Sequence, residues 1–156
     1  MEKEIFETIR RKLCSMLKYL DELENELPTE VEDYLNAGRI LHGFVERNCQ
    51  VAIECAIDAN ELLISITGGA IPESARDSFE AVHQPGAIEE EVCLRFQNTF
   101  VGFRNRLVHD YEQVDNRIVY YTARLLITYG KRYVINLTDY LDRLQQTSNN
   151  AALVNP

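Results

Sequence analysis

Arg104, Asn105, His109 and Tyr111 fall in the stretch Phe103-Arg104-Asn105-Arg106-Leu107-Val108-His109-Asp110-Tyr111. Histidine can both take and give a proton near neutral pH, and arginine is a permanent cation whose fork of donors matches phosphate oxygens. The pattern Arg-x-x-x-x-His-x-Tyr therefore supplies the parts for cutting RNA without a metal. His109 would serve as general base on a ribose 2′-hydroxyl or general acid on the leaving 5′-oxygen, and Arg104 would stabilise charge growing on the phosphoryl oxygens. The carboxylates around the stretch, Asp110, Glu112 and Asp115, are too few and too tied to a connector to resemble a two-metal nuclease cluster. No metal and no cofactor are expected.

Helical geometry constrains how these groups can meet. Successive residues turn by about 100°, so Asn105 and His109 lie within about 40° of each other, whereas Arg104 and His109 are about 140° apart. Either the arginine stem swings its guanidinium toward the histidine or a two-fold partner supplies the other half of the site. Tyr111 would face away from His109 by about 200° on a continuing helix, so the helix must end near them if both line one mouth. Asn105 is a supporting residue that orients either the phosphate or the imidazole, unless it simply faces solvent. Judged alone, His109 reads as a structural histidine meeting the negative end of a helix dipole. Arg106 has Asp110 four residues on and is expected to form an ion pair with it. His42 and His83 lack companions of catalytic type and read as structural or exposed.

The elements that must position this stretch are helical. Ile5, Ile9, Leu13, Met16, Leu17, Leu20 and Leu23 recur at steps of three and four, predicting a first helix that ends before Pro28. A second is expected from Thr29, with Glu32 at the capping-box spacing, to Gly68-Gly69, bent at Gly38 and Gly43. Ser74 caps a short third helix ending at Gln84-Pro85-Gly86. A fourth carries Ile88, Val92, Leu94, Phe96, Phe100, Phe103 and Leu107 into the motif. Asp115 caps a fifth through Ile118, Tyr121, Leu125, Thr128, Val134, Ile135 and Leu141, with Tyr120 and Tyr121 assigned to core and interface packing. The expected fold is all-α, an up-and-down bundle of about five helices over residues 1–145, followed by a polar, frayed tail over 146–156.

At 156 residues the chain is one domain, able to bury about two-thirds of its unfolded surface without a disulfide or metal. Cys14, Cys49, Cys55 and Cys93 match no zinc spacing and are expected to be small buried hydrophobes. The start Met1-Glu2-Lys3-Glu4 has no basic leader, and no apolar run is long enough to span a membrane, so a cytoplasmic protein is expected. The net charge of −9 disfavours tight, sequence-blind binding to long nucleic acid. That charge is uneven: residues 1–90 hold 8 Lys and Arg against 19 Asp and Glu, while residues 91–156 hold 8 against 6. The motif lies in the half that tolerates phosphate.

The Arg-x-x-x-x-His-x-Tyr of Arg104, His109 and Tyr111, with the helical stretch Phe44 to Glu54 upstream and the step from Asp110 to Val119 downstream, resembles the HepT-like toxins of the HEPN superfamily. The resemblance covers roughly residues 1–145. It implies a homodimer in which two motifs face each other across a composite cleft, acting as a metal-independent endoribonuclease toxin on RNA such as tRNA or mRNA. It further implies that a partner nucleotidyltransferase antitoxin of the MNT type neutralises the toxin by attaching AMP to Tyr111, whose bulky, anionic adduct would block the cleft. Two alternatives remain: a non-catalytic HEPN protein serving as nucleotide-binding or scaffolding partner of a nucleotidyltransferase, and a regulatory helical dimer. Neither needs Arg104, His109 and Tyr111 together.

Overall fold

The computed structural model describes residues 1–154, without the side chains of Tyr111 and Val154. The first apolar period folds as α1 (Glu2–Glu26) and buries Phe6, Ile9, Leu13, Met16, Leu20 and Leu23 along one face. Cys14 is exposed, against expectation, whereas Cys49, Cys55 and Cys93 are buried. One residue past Leu13 is about 100° around the helix, off the face that packs.

The expected second helix is two, α2 (Val31–Leu35) and α3 (Arg39–Ile66). The chain breaks at Gly38, which caps α3 in an extended conformation, while Gly43 continues inside the helix. The capping box at Thr29 does not form, because Glu30 is the residue that precedes α2, without a side-chain cap bond. The turn is held instead from the last helix, α7 (Asn116–Val154): the Tyr120 hydroxyl lies 2.8 Å from the carbonyl oxygens of both Pro28 and Thr29, and Arg124 donates to Pro28. α3 ends where Gly68 takes φ +82° and the Gly69 N–H reaches the Ile64 carbonyl at 3.2 Å. That 6→1 bond requires a left-handed residue, which glycine adopts without Cβ strain.

α4 (Ala75–His83) begins as expected, with the Ser74 hydroxyl accepting from the Asp77 N–H at 3.1 Å. The motif helix is continuous but not uniform: α5 (Glu90–Arg95), a π turn (Phe96–Phe100) and α6 (Val101–His109) follow one another. Phe96 and Phe100, both buried, pack edge to face at 4.9 Å between centroids. A one-turn 3₁₀ segment (Tyr111–Gln113) leads to α7 (Asn116–Val154), whose start is capped by the Asp115 carboxylate accepting from the Arg117 N–H at 2.8 Å. α7 does not end near residue 145 but continues as helix to Val154; Arg10 of α1 bonds to Asp142 and Gln145 there.

No strand occurs among the described residues, and the architecture is an all-α bundle. α1 packs along both α3 and α7. Gly130 allows the second contact, since a Cβ there would stand 2.9 Å from Leu20 Cδ1 and 3.4 Å from Met16 Cε. α7 buries Val119, Tyr120, Ala123 and Leu126, and leaves Ile118 and Tyr121 about half exposed, one residue out of phase with the expected apolar face. Leu94, also expected inside, is 46% exposed. A buried polar network ties three helices: the Tyr133 hydroxyl sits 2.6 Å from Asn60 Oδ1 and 3.0 Å from the Ala56 carbonyl, and Asn60 Nδ2 donates to Ser78 Oγ at 3.2 Å.

Candidate active site at the end of the motif helix

His109 is the last residue of α6 and is exposed. Asp110 leaves the helix at φ −129°, ψ 35°, its N–H donating to the Arg106 carbonyl at 2.8 Å. The imidazole therefore stands at the carbonyl-rich end of the helix, and among the described residues it has no hydrogen-bond partner. Leaving the helix also explains why the expected Arg106–Asp110 ion pair is not formed: Asp110 no longer occupies the i+4 position of a continuing turn. The helix does end beside Tyr111, as a shared mouth requires. Its backbone begins the 3₁₀ turn, and its side chain lies outside the described residues.

Arg104 takes neither a swing toward His109 nor an exposed rotamer. Its Nε donates to Glu54 Oε1 at 3.4 Å across to α3, and its Nη1 donates to Asn105 Oδ1 at 3.1 Å. Gln50, one turn before Glu54, donates to the same Oε1 at 3.1 Å. Asn105 thus touches the arginine, not the imidazole. Arg104 and Glu54 are each about one-third exposed, at 30% and 33% of their side-chain surfaces, so the guanidinium remains reachable from solvent. Glu54 had no signal in the motif's spacing. It lies 50 residues upstream, and only the packing of α3 on α6 brings it to the site.

Two hollows flank the connector. One, of about 360 Å³, is lined by Phe103, Arg106, Asp110, Gln113, Val114 and Ile118; the other, of about 310 Å³, by His109, Asp110, Glu112 and Gln113. Phe103 is buried at the floor of the first, and Ile118 carries its apolar side on to Tyr121 and Leu125. The other two histidines are structural. His42 Nε2 lies 2.7 Å from the Tyr34 carbonyl with its ring against Tyr34, and His83 Nδ1 lies 2.9 Å from the Ile88 carbonyl. Among the described residues, no group of three or more His, Cys, Asp or Glu could hold a metal ion, and no helix is long and apolar enough to cross a membrane.

The chain is an all-helical bundle that displays Arg-x-x-x-x-His-x-Tyr at the exposed C-terminal end of α6. The family model described as Ribonuclease HepT-like matches residues 16–137, and the chain belongs to that family. A tRNA nuclease HepT from Aphanizomenon flos-aquae is 24% identical over 141 residues, covering 90% of this chain and 95% of the relative. A toxin–antitoxin crystal structure with AMP-PNP superposes with a TM-score of 0.75 at 21% identity, covering 84% of this chain and 97% of its own. A tri-AMPylated Shewanella oneidensis HEPN toxin in complex with an MNT antitoxin gives 0.70 at 21%, covering 86% and 97%. At these identities the structural likenesses establish the fold.

Proposed function

We propose that this protein is the toxin of a toxin–antitoxin pair, a homodimeric endoribonuclease that cleaves RNA without a metal and is neutralised by AMP attached to Tyr111. The observation that carries the reading is a complete motif at an exposed helix end in a chain of the HepT-like ribonuclease family. The name of the Aphanizomenon relative favours tRNA over mRNA as substrate. In the proposed reaction His109 takes the proton of a ribose 2′-hydroxyl, whose oxygen attacks the adjacent phosphorus. The bond to the 5′-oxygen breaks, and that oxygen receives a proton from His109 of the partner subunit. Arg104 stabilises the phosphoryl oxygens, and the products are a 2′,3′-cyclic phosphate and a 5′-hydroxyl.

Two features of the single chain favour a composite site. Arg104 and His109 share no hydrogen bond, and the half-exposed Ile118 and Tyr121 lie next to the motif connector on a strip that a second copy would cover. For regulation, the tri-AMPylated Shewanella toxin supports AMP attachment as the means, and the motif's Tyr111, at the start of a 3₁₀ turn two residues from His109, supplies the acceptor hydroxyl. AMP there adds negative charge where an RNA phosphate must bind, so inhibition combines blockage with repulsion.

The test is cleavage of tRNA by the purified protein in EDTA, with 2′-deoxy substitution at the cut site as control. The wild type should cleave the ribose substrate alone, and His109→Ala and Arg104→Ala should be inactive yet folded and dimeric. Activity retained in either variant overturns the assigned pair, and metal dependence overturns the mechanism. Incubation with a cognate MNT nucleotidyltransferase and ATP should add AMP-sized mass increments that vanish in Tyr111→Phe. An inactive wild type that still binds the nucleotidyltransferase would favour the non-catalytic scaffolding role.

A further inference from the structure

We propose that Glu54 is a positioning residue of this site, holding Arg104 so that its unspent donors face the scissile phosphate; the inference rests on the ribonuclease reading above. A guanidinium offers five N–H donors. Nε gives its hydrogen to Glu54 and Nη1 gives one to Asn105, which among the described residues leaves both Nη2 hydrogens and one on Nη1 for phosphate oxygens. Two anchors on two helices define the plane of the group. An unanchored arginine would spread its charge over many rotamers, and a transition state is stabilised only by donors already in place.

The anchor is itself held on both sides. Glu54 stands on α3 between Ile53 and Cys55, both buried in the core, and Gln50 donates to the same carboxylate oxygen from one turn away. The pair is one-third exposed, and ion pairs so open to solvent contribute little to stability. Orientation of Arg104 is then the consequence with most reach. The opposite arrangement, a carboxylate that withholds the arginine from RNA, would have to occupy the phosphate-binding donors. Here the longest of the contacts, at 3.4 Å, goes to Nε, and Nη2 is free of Glu54.

The sign of the effect separates these arrangements. In steady-state cleavage of a short RNA by the full-length protein, Glu54→Ala should lower kcat about 10- to 100-fold while KM stays within about threefold, because orientation acts on the transition state more than on ground-state binding. Glu54→Gln keeps an oxygen acceptor for Nε and should recover to within about fivefold of wild type, with all three proteins melting within about 3 °C of one another. The Arg104 Nε–Hε signal in ¹⁵N-resolved NMR should be sharp in wild type and Glu54→Gln, and broadened by solvent exchange in Glu54→Ala. An alanine variant as fast as or faster than wild type, a loss confined to KM, or an unchanged Nε–Hε signal overturns the proposal. A wild type that cleaves no RNA removes the ribonuclease reading and this inference with it, whereas an active wild type with an equally active variant removes the inference alone.

Discussion

Replacing Tyr133 by phenylalanine removes one oxygen from the centre of the bundle, and the same change at Tyr34 should have a different effect. Both side chains are fully buried, and both rings keep their aromatic neighbours in the variant: Phe96 and Phe79 around Tyr133, His42 and Tyr120 around Tyr34. The comparison therefore isolates the hydroxyl. At Tyr133 it satisfies Asn60 Oδ1 at 2.6 Å, and Asn60 is itself fully buried with its Nδ2 committed to Ser78. Phenylalanine leaves that oxygen without its partner in the buried core, a cost of about 1–3 kcal/mol, or about 2–12 °C in Tm for a chain of this size. At Tyr34 the hydroxyl finds no protein partner among the described residues; burial, then the charges of Glu46 and Cys49, push its phenol well above the ordinary range. Phenylalanine there forfeits no bond and should be neutral or stabilising by about 1 kcal/mol. Urea unfolding followed by circular dichroism, at one fixed protein concentration so that association is held constant, gives both numbers. Equal losses at the two positions, or a Tyr133→Phe change under about 0.5 kcal/mol, would refute the reasoning.

Burial raises the Glu46 carboxyl above the usual carboxylate range, against a lowering pull from His42. Ionised Glu46 therefore weighs against the folded state above its unfolded pKa of about 4.3, and the penalty fades as pH falls below it. Glu46→Gln should raise Tm near neutral pH and lose that advantage in melts near pH 3.5–4; a gain that persists in acid would mean the effect is not ionisation. Cys14 is the exposed cysteine among the four, whereas the Cys93 thiol is pushed up to about 11, by burial first and then by Glu80. Brief maleimide treatment of the native protein near neutral pH should add one mass increment that Cys14→Ser abolishes, and several adducts forming at one rate would show that the core opens readily.

The helical class and the motif were legible because both depend on spacing along one chain. The apolar steps of three and four in α1 predict the face that packs, and Ser74 and Asp115 announce two helix starts through side-chain caps that reach only two or three residues. Local signals misled where a distant group competed for the same backbone. Thr29 and Glu32 have the spacing of a capping box, yet Tyr120 and Arg124 of α7 fasten that turn through its carbonyls. The face of α7 differs from the expected one for a related reason. Ile118, Tyr121 and Leu125 have the helical period, but so do Val119, Tyr120, Ala123 and Leu126, and only the position of the other helices chooses which set is buried.

The candidate site divides along the same line. By itself the sequence determined that an arginine, a histidine and a tyrosine stand at set intervals near a helix end, because intervals of a few residues are governed by local geometry. Tertiary structure alone decided that Arg104 turns to Glu54 and Asn105, that Asp110 quits the helix before pairing with Arg106, and that His109 is left exposed. The contact with Glu54 depends on how α3 lies against α6, an arrangement set by burial summed over the whole core, to which the few residues of the motif contribute little.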